Sequence, residues 1–255
     1  MKTKGQITFF VILGLVLTML IVLSFVYKER IIEQASKSGI IKSLPMSEEA
    51  KKVQADIEEC MKDMAYDSLI KLGLQGGYLD FGIVPYAQIP EAIESIDYDG
   101  TAYIYYKGQN NVPSLIQMQN DLSTDLITRS SNCKKDYKEL SLSYGRVVPK
   151  IEIKEDKIDF KINWVIDIQK EDVKSAVRDV NFEMPLRLGK MRDVVNDIVE
   201  SQAEEICLSC LTDISFKNNM IIDIENIDGN IFYLITDEKS EIRDENYMFL
   251  MANKF

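Results

Sequence analysis

Residues 158–168 read IDFKINWVIDI, and their alternation decides the fold class. Ile158, Phe160, Ile162, Trp164, Ile166 and Ile168 take every second position, with Asp159, Lys161, Asn163 and Asp167 among the residues between them. A two-residue period sends alternate side chains to opposite faces of an extended chain, so this run predicts a strand buried on one face. Upstream, Ile151 and Ile153 alternate with charge and Glu155-Asp156 turns the chain. Downstream, Val180, Phe182, Met184, Leu186 and Leu188 alternate again. The three runs predict an antiparallel meander. A long helix is expected from about Lys190 to Phe216. Two more strands flank Asp228-Gly229, a pair suited to a tight hairpin, and Tyr247 to Ala252 supplies a last strand.

Toward the N-terminus the period becomes helical. Ser47 can cap a helix whose first turn carries Glu48 and Glu49. Val53, Ile57, Cys60, Met64 and Leu69 continue it to about Leu74, where Gly76-Gly77 stops it. Residues 78–111 are loop-rich around Pro85, Pro90 and Gly100, with one aromatic strand from Thr101 to Tyr106. Pro113 opens another helix that runs to about Arg129 and ends near Cys133.

Farther out, Gln6 to Tyr27 is free of charge. As a helix it covers roughly 33 Å, enough for a bilayer's hydrocarbon core. Fifteen of its residues are Ile, Leu, Val or Phe, favouring insertion by roughly 5 to 9 kcal/mol. The run is longer than a cleaved signal's apolar core, and Phe25-Val26-Tyr27-Lys28-Glu29-Arg30 offers no small-x-small cleavage site. The expected plan is a tail over 1–5, a transmembrane helix over 6–27 and an amphipathic stalk over 28–46. Beyond these come a helical lobe with the aromatic strand over 47–140 and an antiparallel α+β lobe over 141–255, as one unit or two. The expected fold class is therefore α+β: a transmembrane helix and helical stalk, then an ectodomain of antiparallel sheet packed with about three helices.

Composition excludes several function classes. Hydrophobic residues are 46% of the 255 and charged residues 28%, too apolar for a disordered chain. Histidine is absent, which removes His-based triads and His-bearing zinc sites. The formal charge is −11. Four of the 30 basic residues and one of the 41 acidic residues lie within 1–30, so residues 31–255 carry a net charge of about −14. Such a surface repels phosphate backbones, so no nucleic-acid partner is expected. The lipid bilayer is the expected partner of residues 6–27, with the N-terminus cytoplasmic and the acidic domain outside.

Lys4-Gly5-Gln6-Ile7, directly before the apolar run, resembles the class III signal of archaeal type IV pilin-like proteins. The resemblance implies cleavage between Gly5 and Gln6, and Gln6 and Thr8 match many archaeal pilins. Phe10 departs, because many pilins carry Glu there to set subunit register. A plain signal anchor flanked by lysines is the alternative. Leu72-Gly73-Leu74-Gln75-Gly76-Gly77-Tyr78, Val112-Pro113-Ser114, Cys207-Leu208-Ser209-Cys210 and Ala252-Asn253-Lys254-Phe255 are similar to phrases in a group of uncharacterised single-pass envelope proteins of small-genome archaea. That resemblance implies a location and no activity.

Four cysteines follow the apolar run: Cys60, Cys133, Cys207 and Cys210. An even count outside the cytoplasm suggests disulfides, and four cysteines allow three connectivities. Cys60–Cys133 with Cys207–Cys210 is favoured; by loop entropy the first contributes about 4 kcal/mol and the second about 2. Cys207-x-x-Cys210 is also a redox motif, but a position late in a long helix, on its apolar side, favours a structural role. Neither Cys60 nor Cys133 has the paired spacing of a zinc knuckle, so no metal is expected, nor any cofactor. Gly73-x-x-Gly76-Gly77 ends a helix where a phosphate loop would begin one. Tyr98, Tyr103, Tyr105 and Tyr106 could form a binding surface, though a half-buried strand uses the same residues. The acidic neighbours Glu58-Glu59, Asp97/Asp99 and Glu204-Glu205 lack calcium-loop spacing. The function expected is a membrane-anchored, non-enzymatic surface protein, pilin-like in the fullest version. The alternatives are an envelope thiol–disulfide oxidoreductase using Cys207 and Cys210, or an anchored ligand-binding domain.

Overall fold

Alternating apolar residues become three long strands: β4 (Ser141–Ile153), β5 (Ile158–Lys170) and β6 (Val173–Met184). They are given by a computed structural model that describes residues 47–89, 100–201 and 206–255. The strands pair antiparallel in the order β4-β5-β6. Ile158, Phe160, Ile162, Trp164, Ile166 and Ile168 all face the interior. Burying side chains of this size stabilises a fold by about 1.5–3 kcal/mol each, which makes β5 the spine of this sheet. Register shifts between Tyr144 and Val147, and between Asn163 and Ile166, bend the sheet.

A larger sheet has the order β1-β2-β9-β8-β7, with β3 beside β2. Its strands are β1 (Tyr86–Ala87), β2 (Thr101–Tyr106), β3 (Gln109–Asn110), β7 (Ile221–Ile227), β8 (Asn230–Ile242) and β9 (Glu245–Lys254). Asp228 and Gly229, both at positive φ, turn β7 into β8. The β2–β9 pair is parallel: Tyr103 lies opposite Ala252 and Tyr106 opposite Lys254. The Thr101 hydroxyl donates to the Leu250 carbonyl at 2.7 Å across this seam.

Helix α1 (Glu48–Leu74) packs on β6 of one sheet and β9 of the other. Val53, Ile57, Met61, Ala65, Leu69 and Leu72 form its buried stripe, spaced by three or four residues as a helix face requires. Gly73 lets β9 approach, since a Cβ there would sit 2.4 Å from the Met248 carbonyl oxygen. Helix α2 (Leu115–Arg129), capped by Ser114, packs on β4 and α1 and runs into a 3-10 turn over Ser130–Cys133. Helices α3 (Leu188–Ser201) and α4 (Leu208–Asn218) pack on each other, and α4 leads into β7. Residues Glu48–Phe255 form one compact unit, in which residues 47–140 and 141–255 share the larger sheet.

The expected architecture is corrected in several respects. The transmembrane helix over 6–27 and the stalk over 28–46 lie outside the described residues, and among the described residues no helix is long and apolar enough to cross a membrane. The strands form two sheets, and the larger one contains a parallel pair where antiparallel pairing throughout was expected. Four α-helices are described, against about three expected. The helix read from Lys190 to Phe216 is two helices, because Cys207 has extended backbone, φ −95° and ψ 91°, which a continuous helix excludes. The alternating run through Leu188 stops as a strand at Met184; Leu186 is buried in a connector after Pro185, and Leu188 begins α3.

Candidate functional site

The four cysteines lie in two bonds of different surroundings. Cys60 and Cys133 are joined with Cα atoms 5.7 Å apart, linking the middle of α1 to the turn after α2. Cys133 is fully buried and its sulfur lies 3.9 Å from the Met64 sulfur. Cys207 and Cys210 are joined with Cα atoms 5.3 Å apart, and both are half-buried. Cys207 is the N-cap of α4: its sulfur accepts from the Cys210 amide at 3.2 Å and lies 3.5 Å from the Ser209 hydroxyl. The sequence placed this pair late in a helix, and the structure places it at the start of one. That position matters chemically, because unpaired amides at a helix N-terminus stabilise negative charge on a capping sulfur.

Around this disulfide exposed apolar side chains stand among exposed polar ones, Ser209, Thr212, Asp213 and Lys217. Ile206 is 39% exposed and Leu208 63% exposed, while Phe216 near the far end of α4 is 88% exposed. Leu208, Thr212 and Phe216 share a face through their four-residue spacing. Leu211 and Asn218 fill the buried side.

The other residues singled out by sequence fall in varied places. Gly5, Gln6, Tyr98, Asp97, Asp99, Glu204 and Glu205 lie outside the described residues. Gly76 and Gly77 stop α1 at φ 73° and 86°, with the Gly77 amide donating to the Leu72 carbonyl at 2.7 Å. Tyr103 is a buried strand residue whose hydroxyl donates to Asn230 at 2.7 Å. Tyr106 stacks obliquely on it, and Tyr105 meets Phe255. The Tyr78 hydroxyl donates to the Asn111 carbonyl, and burial followed by the nearby Asp121 pushes its pKa up to about 12. Asp121 is itself held above the usual carboxylate range, first by burial and then by Asp80. Among the described residues no group of three or more Cys, Asp or Glu side chains is placed to hold a metal ion.

Sequence reasoning missed one buried ionic cluster. Asp237 is fully buried on β8 and pairs with Arg187, whose Nε donates to it at 2.9 Å. The Ser240 hydroxyl and Lys239 amide also donate to this carboxylate. The Arg187 guanidinium reaches the Asn218 and Asn219 carbonyls at the end of α4. Fifty residues separate the two charges, so no local spacing could have signalled them. Beside this cluster an open cleft of about 420 Å³ is lined by Tyr66, Pro185, Leu186, Lys239 and Arg243. A second, of about 360 Å³, is lined by Glu49, Lys52, Tyr137, Glu139 and Lys170.

The chain matches no protein-family model, no curated protein and no solved structure.

Proposed function

We propose that this chain is a surface protein whose acidic α+β domain stands outside the cytoplasm, near a lipid bilayer engaged by the apolar residues 6–27. The observation that carries the reading is the Cys60–Cys133 bond. It ties together segments 73 residues apart, and its Cys133 end is fully buried while Cys60 is half-buried. Disulfides of this kind persist in oxidising compartments and are rare in reducing ones. The net negative charge of residues 31–255 supports an outward position, because an anionic membrane surface repels it. On this reading the domain presents a surface for contacts and performs no chemistry through the Cys60–Cys133 bond. The Lys4-Gly5-Gln6 signal supports a pilin-like version in which the mature chain begins at Gln6.

Protease treatment of intact cells tests the location. Digestion of the domain without lysis is expected, with Cys60 and Cys133 recovered as a linked peptide pair from cells quenched in acid. Full protection until lysis, with both cysteines alkylatable, would overturn it. Mass spectrometry of the natural N-terminus then separates the versions. A start at Gln6 supports pilin-like processing, and a start at Met1 or Lys2 removes it.

A further inference from the structure

The Cys207–Cys210 disulfide combines three features that the Cys60–Cys133 bond lacks. It lies at the first turn of α4, an eleven-residue helix. Both of its cysteines are half-buried, whereas in the other bond only Cys60 is half-buried and Cys133 is sealed. Its neighbours Ile206 and Leu208 expose apolar surface, continued along the helix by Phe216. A purely structural staple needs none of these. A four-residue disulfide closes so small a loop that its entropic contribution is only about 2 kcal/mol, against about 4 for the long loop.

We infer that Cys207 and Cys210 form a thiol–disulfide exchange site, with Cys207 as the exchanging sulfur, Cys210 as the resolving one, and cysteine-bearing apolar polypeptide segments as substrate. The assignment of roles follows from the cap. In the reduced pair the Cys207 thiolate keeps the Cys210 amide and the Ser209 hydroxyl as donors at the positive end of α4, so negative charge rests on Cys207. By microscopic reversibility the mixed disulfide also forms at Cys207.

The exchange balances as follows. A substrate thiolate attacks the Cys207 sulfur, the Cys207–Cys210 bond breaks, and its electron pair leaves on the Cys210 sulfur, which takes up a proton. A second substrate thiolate then attacks the substrate sulfur of the mixed disulfide and releases Cys207 as a thiolate. Two electrons pass from the substrate dithiol to the protein pair; of the two protons the substrate thiols gave up, one is taken by Cys210 and the other stays in solvent while Cys207 remains a thiolate. A second turnover requires a small-molecule disulfide such as oxidised glutathione to close the pair again. Ile206, Leu208 and Phe216 give the substrate's apolar flanks a surface beside the reacting sulfur, which favours a polypeptide over glutathione as the primary reductant.

The test uses the full-length protein in detergent micelles, equilibrated without oxygen in graded mixtures of reduced and oxidised glutathione. Acid quenching, alkylation and peptide mass spectrometry then read each cysteine. Cys207–Cys210 is expected to open in mixtures that leave Cys60–Cys133 closed, and limiting alkylating reagent is expected to mark Cys207 before Cys210. This measurement needs no variant and so stands whether or not any variant folds. A fluorescent peptide with an internal disulfide between Leu and Phe residues then probes exchange in reverse. Cys210→Ser is expected to hold it as a mixed disulfide, and Cys207→Ser to hold at least about tenfold less. Leu208→Ser with Phe216→Ser is expected to slow capture of that peptide several-fold more than it slows exchange with glutathione, and equal slowing of both would remove the polypeptide preference. Co-reduction of both bonds, or equal trapping by the two serine variants, would overturn the proposal. The location reading would survive that failure, because it rests on Cys60–Cys133.

Discussion

At the scale of single residues, two positions carry more than their neighbours. Gly77 sits at φ 86°, and a Cβ there would meet the Pro113 ring at 2.6 Å and the Met118 methyl at 2.7 Å. Left-handed backbone costs a non-glycine residue about 1–2 kcal/mol and overpacking about 1–3. Gly77→Ala is therefore expected to destabilise the domain by about 2–5 kcal/mol in urea unfolding. A loss below 0.5 kcal/mol, on the order of a neutral surface substitution, would show that the junction relaxes freely. Asp121 behaves differently. Burial and then Asp80 raise its folded-state pKa, so folding favours its protonated form. The stability that form supplies is fully present below the unfolded value of about 3.9 and is lost as pH rises through the folded value. Asp121→Asn is accordingly expected to raise the melting temperature near neutral pH and to flatten its dependence on pH above the ordinary carboxylate range. A variant less stable than the parent at pH 7 would show that the ionised carboxylate is needed for its bond with the Leu79 backbone.

Among the elements, the decisive attachments join pieces that local structure leaves separate. The Cys60–Cys133 bond pins α1 to the turn after α2, across the poorly periodic stretch from 78 to 111. Replacing both cysteines by Ser is expected to cost roughly 2–5 kcal/mol. The double replacement of Cys207 and Cys210 is expected to cost less, since it frees only the first turn of α4. Equal losses in calorimetry would contradict the loop-length argument. The Arg187–Asp237 cluster joins the start of α3, the bend of β8 and the end of α4 in one hydrogen-bonded set. Asp237→Ala leaves a partly buried guanidinium without its carboxylate. About 3–5 kcal/mol of stability should be lost, read by thermal unfolding.

For the molecule as a whole, the C-terminal strand decides whether there is one cooperative unit. β9 lies between β2 and β8, so among the described residues it carries the only strand pairing between the segment before residue 111 and the strands after residue 220. Its Tyr247 hydroxyl donates to the Leu69 carbonyl of α1, a contact across 178 residues. Removing residues 245–255 is expected to unfold segments 47–89 and 100–140 along with the rest, seen as loss of protease resistance throughout. A stable fragment retaining residues 47–140 would show that the first segment folds without β9.

Local patterns were legible because the backbone writes them within about ten residues. The two-residue period of 158–168 became the buried face of β5, the Gly76-Gly77 pair stopped α1, and Asp228-Gly229 turned β7 into β8. Cysteine count and compartment logic favoured the two pairs that the structure joins. Three matters were decided only in three dimensions. The parallel β2–β9 register joins residues about 149 apart, and periodicity says which face of a strand is buried without saying which strand lies beside it. Apolar spacing fits one long helix, whereas the extended backbone and cap at Cys207 begin α4 as a separate helix. Arg187 and Asp237 met because a buried charge is stable only beside its opposite, and the fold alone brings β8 within reach. In this chain the sequence by itself determined most of the segments that extend, coil and turn, with Leu186, Leu188 and Cys207 excepted, since those choices rest largely on neighbouring dihedrals and side-chain periods. Only the tertiary structure decided which segments meet, and with that whether Cys207 sits inside a helix or at its electropositive end.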